Sequence, residues 1–563
     1  MTRARRDAWL FWMFALLILG AGLGLRDPWP ADEPRFALAA RQMVESGNWL
    51  FPHRGSELYS DKPPLFMWLQ ASVLWLTGHL RIAFLLPSLL AALGTLWCVV
   101  DLGSRLWTRR IGLYAGWAVL LTLQFTWQAK KAQIDPVVVF FITLSCYGLL
   151  RHALRGPDWR MWALGWAAAG LGTITKGVGV IALLMLLPAA YASLRGWNGV
   201  RLHARDRRFW LGPLAFVAAC GVWLLPMLVA ALGQRSPEYA AYVDDLLFRQ
   251  TLTRYADSWH HGQPAWYFLE VALTAWLPTV LALPWALPAW RRRLRRGDAR
   301  VLLPLVWVLL VFVFFSIPSG KRDMYILPAL PMLALALAPL LPGLLRKPAA
   351  QRLLLGFVGV LSAALLLAGL AMLQGEPGFE RRVMEGREAH VAQGLGAMLA
   401  AVGATGLGAA LWFGRRRTHH ALVALLATLW VLYGLVGAPL LNDGSSSRGL
   451  MRAVGAAIGP DAELGLVGWR EQQLLMADRP ARDFGFKRDA GLQFAAARAW
   501  QRQAPTRWLL VEGEALARCA DASRAIAMGV ANRRSWYLLS PDAVLQERPC
   551  KPAPQAPSAP LAD

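Results

Sequence analysis

Charge is scarce in this chain and unevenly placed. Only 17% of its 563 residues are Asp, Glu, Lys or Arg, while 56% are hydrophobic. A soluble globular protein carries a larger charged share, so that class is excluded. Five Cys are too few for a disulfide framework. There is no Cys/His zinc spacing, no P-loop, no dinucleotide fingerprint and no internal repeat. Zinc-finger, nucleotide-cofactor and solenoid readings therefore lack support. Acidic residues are few as well, 35 against 59 basic ones, which leaves a net charge of +24. The basic residues sit in short clusters between apolar runs. That pattern signals membrane topology and not a nucleic-acid partner.

What the chain does have is long apolar runs. Runs of roughly 18–22 residues are the length that crosses the hydrocarbon core as helices. Thirteen candidate spans follow: 8–25, 81–102, 112–128, 134–150, 161–175, 177–194, 209–232, 265–289, 301–317, 324–344, 353–373, 393–413 and 420–441. The first follows Arg3, Arg5 and Arg6. It is longer than a secretory-signal core of about 7–15 residues and lacks a small-residue cleavage site, so it is read as an uncleaved span. With the N-terminus in the cytoplasm, every cytoplasmic connection is short and basic, from Arg105, Arg109 and Arg110 to Arg415–Arg417. Leu65–Thr77 is too short to cross and reads as an interfacial or re-entrant helix.

The opposite side then collects the first loop (26–80), Lys130 and Lys131, Asp135, Lys176, a second large loop (233–264), Lys321, Arg322 and everything after residue 441. The expected organisation is a polytopic α-helical membrane domain over 1–441, an outer α/β domain over 442–551, and a disordered Pro/Ala tail over 552–563. In the outer domain Glu463–Trp469, Arg507–Glu512 and Arg534–Ser540 read as strands and Ala515–Met528 as a helix. Cys98, Cys146 and Cys220 fall within spans as packing residues. Cys519 and Cys550 share the outer domain, where a disulfide is permitted.

Charge is expensive in a membrane protein, so its concentration in the first loop marks a site. Asp32-Glu33 precedes Pro34-Arg35, and Phe36, Ala39, Ala40 and Met43 follow at helical spacing until Gly47. Asp32 is either an N-cap or a general base or orienting carboxylate. Asp61-Lys62-Pro63-Pro64 starts the short apolar helix. Lys62 is either an exposed helix-start residue or a cation preorganised for phosphate, with Tyr59 just upstream to stack on a sugar or donate to phosphate. Asp135-Pro136 suits a helix start or a second site carboxylate. Lys176 suits an interface anchor or a substrate contact. Lys321 and Arg322 oppose the usual charge bias, which favours function, and Tyr325 is a substrate contact or a belt aromatic. His260-His261 in the second large loop suits substrate hydrogen bonding. Together with Asp61 these histidines are also the only metal candidates, without a carboxylate at standard spacing.

The segment DEPRFALAARQMVESGNWLFPHRGSELYSDKPPLFMWL resembles the first-loop signature of the polyprenyl-phosphate-sugar-dependent glycosyltransferases. That group has the GT-C fold and contains the 4-amino-4-deoxy-L-arabinose lipid A transferases and the protein O-mannosyltransferases. The likeness continues in Asp135-Pro136, in Gly170 to Gly177, and in Lys321 with Tyr325-Ile-Leu-Pro328. The resemblance implies Asp32 as the principal catalytic carboxylate, Glu33 as its neighbour and Asp135 as the second-loop carboxylate. It places Arg35, Tyr59 and Lys62 on donor phosphate or acceptor. Phe36 stands where Tyr is frequent, and Asp61 where Glu is usual. The implied reaction is inverting transfer from an undecaprenyl-phosphate-linked sugar to lipid A, another glycan or lipid, or a protein. It would take place at the periplasmic face of a bacterial inner membrane, by a monomer, without a required cofactor or metal. A transporter or flippase is the alternative. The chain lacks the paired broken helices and matching halves common there. A ligand sensor would not need so dense a first loop.

Overall fold

The computed structural model describes residues 2–197, 199–234, 236–247, 262–375, 389–520, 524–543 and 550. His260, His261 and the 552–563 tail lie outside the described residues. Helices dominate through residue 458. Among the described residues eight are long and apolar enough to cross a membrane, or nine if the bent pair Tyr267–Ala275 and Thr279–Arg295 is one span. The chain is therefore a polytopic helical membrane protein. Other apolar segments are interrupted. The 112–128 run breaks at Leu121-Thr122 into Arg109–Leu120 and Leu123–Ala129, and the 324–344 run into Asp323–Ile326, Ala329–Leu337 and Leu341–Leu344. The first helix, Arg3–Gly20, begins with three Arg and an Asp.

The first loop folds as its periodicity predicts. Glu33–Ser46 is a helix with Pro34 in its first turn and Gly47 at φ 71° ending it. Its buried Phe36 meets Phe66 edge-on at 5.2 Å, which seats it on the second helix, Leu65–Thr77. A hairpin of β1 (His53–Arg54) and β2 (Glu57–Leu58) joins the two helices. Thirteen residues rise only about 20 Å, short of the roughly 30 Å core.

Beyond the helices lies a five-stranded sheet of β3 (Glu463–Val467), β4 (Ala481–Asp483), β5 (Arg507–Glu512), β6 (Ile526–Ala531) and β7 (Arg534–Leu539), in the order β4-β3-β5-β7-β6. β3 runs parallel to β4 and β5, while β7 is antiparallel to β5 and β6. The helix expected over Ala515–Met528 is corrected here. The helix is Gly513–Cys519, and Ile526–Ala531 is a strand. The hairpin with β7 overrides local helix preference. It turns on Asn532 and Arg533, both at positive φ, as tight hairpins require. Cys519 and Cys550 form a disulfide. Cys98 and Cys146 are buried free thiols and Cys220 is half-buried.

Candidate active site

Two neighbouring carboxylates in the first loop have different surroundings. Glu33 is buried and saturated. Its Oε2 accepts from Arg26 Nη1 at 2.5 Å and from the Trp29 amide at 2.8 Å, and its Oε1 accepts from Arg26 Nη2 at 2.7 Å and the Ala132 amide at 2.9 Å. Arg26 also donates to the Lys130 carbonyl at 3.0 Å. A carboxylate with four donors is fixed in place and has no lone pair left for a substrate proton. Glu33 thus ties the first loop to the 130–133 connection.

Asp32 occupies the N-cap position of Glu33–Ser46, yet its side chain caps nothing. Its Oδ2 instead accepts from Gln133 Nε2 at 3.0 Å and from Arg322 Nη2 at 3.5 Å. Its Oδ1 faces only Arg35, at 3.7 Å. The carboxylate is oriented by three elements and keeps accepting capacity on Oδ1, which is the arrangement a base or orienting group needs.

The same connection brings in the second pair. Gln133 directly precedes the helix Ile134–Arg155, and Asp135 in its first turn accepts from Lys176 Nζ at 2.7 Å. The Lys176 ammonium lies 5.0 Å from the Tyr325 ring centroid. Residues 32, 133, 135, 176, 322 and 325 therefore belong to one neighbourhood. Lys321 faces away. It is buried and donates to the Gln263 carbonyl at 3.0 Å, pinning the 262–264 strip to 319–321.

On the other side of Arg35 is a cationic, aromatic cage. Arg35 Nε donates to Glu471 Oε1 at 3.0 Å, and Arg54 Nη1 lies 3.7 Å from the same oxygen. Arg54 is buried, stacked 3.7 Å from Phe486 and 5.4 Å from Tyr59. It lies 3.9 Å from Asp61. The Tyr59 hydroxyl is buried beside the Arg35 guanidinium, its hydrogen-bonding neighbour. Burial and the Asp61 charge push its pKa well above the ordinary phenol value, against the pull of Arg35 and Arg54, so it remains a donor. Burial alone would lower the Arg35 pKa. Tyr59, Glu471 and Asp32 outweigh it and raise the value, so this cation is permanent. Lys62 donates to the Asp61 carbonyl at 2.9 Å.

Gln133, Arg54 and Glu471 were not singled out by the sequence, and Lys131 appeared there only as one of the cations on this face. Lys131 sits 4.2 Å from the Trp127 ring centroid. Burial lowers its pKa, opposed by Glu33, Asp323 and Asp32. A helix-start Gln, a Glu 436 positions from its Arg partner and a loop Lys carry no local signal. Among the described residues no group of three or more His, Cys, Asp or Glu is placed to hold a metal ion. Asp61 faces Arg54 instead.

The chain is similar to known proteins in both sequence and fold. Residues 61–226 match the family model for dolichyl-phosphate-mannose-protein mannosyltransferase. An undecaprenyl phosphate-α-4-amino-4-deoxy-L-arabinose arabinosyl transferase of Pectobacterium carotovorum is 32% identical over 381 residues, 64% of each chain. The match thus spans somewhat less than two thirds of that relative. The enzyme of the same name from Pseudomonas savastanoi is 30% identical over 449 residues, 78% of this chain and 79% of the relative. The crystal structure of ArnT from Cupriavidus metallidurans bound to undecaprenyl phosphate superposes with a TM-score of 0.73 at 19% identity, covering 94% of this chain and 97% of that one. Its apo form gives the same TM-score of 0.73. With one relative matched over most of its length and the fold matched nearly throughout, the chain belongs to the polyprenyl-phosphate-sugar-dependent glycosyltransferases of GT-C fold, the family of the undecaprenyl phosphate-α-4-amino-4-deoxy-L-arabinose arabinosyl transferases.

Proposed function

We propose that this protein transfers a sugar, with inversion, from an undecaprenyl-phosphate donor to lipid A, another glycan or lipid, or a protein at the periplasmic face of the inner membrane. The observation that carries the reading is the Arg35 bridge. One guanidinium reaches Asp32 on one side and adjoins the buried Tyr59 hydroxyl and the Glu471–Arg54 cage on the other. A carboxylate with a free oxygen beside buried phosphate-type donors is what sugar transfer from a phosphate leaving group requires.

In this reading Asp32 accepts the proton of an attacking hydroxyl, or orients an acceptor that is already an anion. Arg35, Tyr59, Lys62 and Arg322 hold the donor phosphate and neutralise the charge that develops as the glycosidic C–O bond breaks. Glu33 positions the loop and does not touch the reacting atoms, a narrower role than a catalytic one. Lys321 anchors its loop. Asp135 orients Lys176, whose ammonium, lying beside the Tyr325 ring, contacts substrate. His260 and His261, by their place in the sequence, are assigned to substrate hydrogen bonding. Catalysis needs no metal or cofactor. The undecaprenyl donor follows from the names of the relatives.

The supporting topology is thirteen spans over residues 1–441, with the interrupted and shorter helices counted, the N-terminus cytoplasmic, and the unit 442–551 periplasmic. The short basic connections favour it. The Leu65–Thr77 helix then lies at the interface or re-enters, and the protein works as a monomer. The test is transfer of labelled sugar from an undecaprenyl-phosphate donor to extracted lipid A by purified protein. No transfer to any extracted acceptor, with donor turnover also absent, would remove the reading.

A further inference from the structure

The bundle has a second feature, away from the first-loop residues. A cavity of about 620 Å³ is lined almost wholly by apolar side chains. Its walls come from the helix Arg3–Gly20 (Leu10, Phe14), the helix Arg109–Leu120, the Pro278–Trp285 segment, the start of the helix Pro348–Leu373 (Leu353, Leu354) and the helix Thr418–Leu432. Along Arg109–Leu120 the lining runs from Arg110 to Leu121. The chain continues from there through Leu123–Ala129 to Gln133 and Asp135, so Arg110 is at the end away from the candidate active site.

Depth and charge identify the occupant. Eleven helical steps from Arg110 to Leu121 rise about 16 Å. That is about half of the roughly 30 Å hydrocarbon core, the depth of one leaflet. Its lining also includes Pro278 and Thr279, which bonds the Thr122 hydroxyl at 2.8 Å and the Ala118 carbonyl at 2.8 Å. At the mouth the lining residues Leu345 and Ala350 flank exposed Arg346 and Lys347, and Phe413 and His419 flank exposed Arg415–Arg417. Arg109 and Arg110 add a third exposed pair. The single acid on the rim, Asp7, already faces Arg6 at 3.8 Å. An apolar slot one leaflet deep under a cationic rim fits a lipid with acyl chains and an anionic headgroup.

We infer that this cavity is a binding site for an anionic glycerophospholipid, phosphatidylglycerol, drawn from the leaflet at that end. Its acyl chain fills the slot between the helices 3–20, 109–120 and 418–432, and its phosphate meets the rim cations. The inference does not depend on which sugar or acceptor the other end handles, since the ligand, residues and readout are separate.

The test uses the full chain purified in detergent, titrated with dioleoyl phosphatidylglycerol and with dioleoyl phosphatidylethanolamine, with bound lipid counted by native mass spectrometry. The phosphatidylglycerol is expected to bind at least about tenfold tighter, since each rim cation near a headgroup is worth about fivefold. Arg110→Gln with Arg416→Gln should weaken it about 25-fold and leave phosphatidylethanolamine unchanged. Ala424→Trp, which fills the slot, should remove the tight class altogether, with Val423→Phe replacing it if that variant does not fold. Equal binding of the two lipids, or unchanged phosphatidylglycerol affinity in the rim and slot variants, overturns the inference. So does undecaprenyl phosphate displacing phosphatidylglycerol from the wild type with higher affinity, because the slot would then belong to the donor lipid.

Discussion

The two ends of the helical bundle handle charge in opposite ways. At the first-loop end charged groups are buried and paired: Arg26 with Glu33, Asp135 with Lys176, Arg35 and Arg54 with Glu471. At the other end the cations of the short connections stand exposed, as at Arg109, Arg155 and Arg415–Arg417. A buried charge must be matched by neighbours or it unfolds the site, whereas an exposed one is solvated wherever it stands. The first kind of placement specifies geometry. The second specifies which side of the membrane a loop occupies, and leaves the cations at the surface for whatever meets them there.

The largest expected effect lies with Asp32, the half-buried first-loop carboxylate that keeps accepting capacity on Oδ1. Asp32→Asn should lower sugar turnover about 10²–10⁴-fold with folding intact, the loss falling at or below the low end if the acceptor is a phosphate. Turnover equal to wild type in a folded variant would place the chemistry elsewhere. Glu33→Gln should differ in kind. Stranding the buried Arg26 charge should cost about 3–5 kcal/mol of stability, read as a lowered thermal midpoint, before any kinetic effect is measured. A normal midpoint with lost turnover would instead make Glu33 a catalytic residue and erase its contrast with Asp32.

Next in size is the covalent tie in the C-terminal unit. Cys519→Ser should destabilise that unit by about 2–5 kcal/mol in protease-susceptibility assays, with kcat per folded molecule little changed. Glu471→Gln should weaken donor binding more than it lowers turnover at saturation. It removes the anion shared by Arg35 and Arg54, at a cost of about 1–3 kcal/mol for the buried group left short of a partner. An unchanged KM for donor would detach the C-terminal unit from the phosphate cage. Smallest of all, Arg155→Gln at the opposite end should move both the thermal midpoint and transfer by no more than about 0.5 kcal/mol equivalent. A larger effect would show that exposed connection charges do more than set topology.

Much of the first loop was legible because its signals are local. The spacing of Phe36, Ala39, Ala40 and Met43, the stop at Gly47 and the 13-residue apolar run after Pro64 all became the expected helices. The Asp32 N-cap question was not legible. Position made it a cap and contact made it something else, because Gln133 and Arg322 come from 101 and 290 positions away. The strand at Ile526–Ala531 was missed for a related reason. Its pairing with Arg534–Leu539 decides its conformation, and a reading of residue preference alone assigns the stretch to a helix.

The sequence by itself determined the solvent this protein folds in, the order of its apolar segments and the loop in which mixed charge is concentrated. Those follow from hydropathy, charge placement and short-range periodicity, which act over one or two helical turns. Only the tertiary structure decided that Glu33 is saturated by donors while Asp32 is not, that Lys321 bonds the Gln263 carbonyl while Arg322 reaches Asp32, and that Glu471 completes the cage around Arg35. Each of those roles depends on which distant donor or acceptor fills a lone pair, and packing alone sets that.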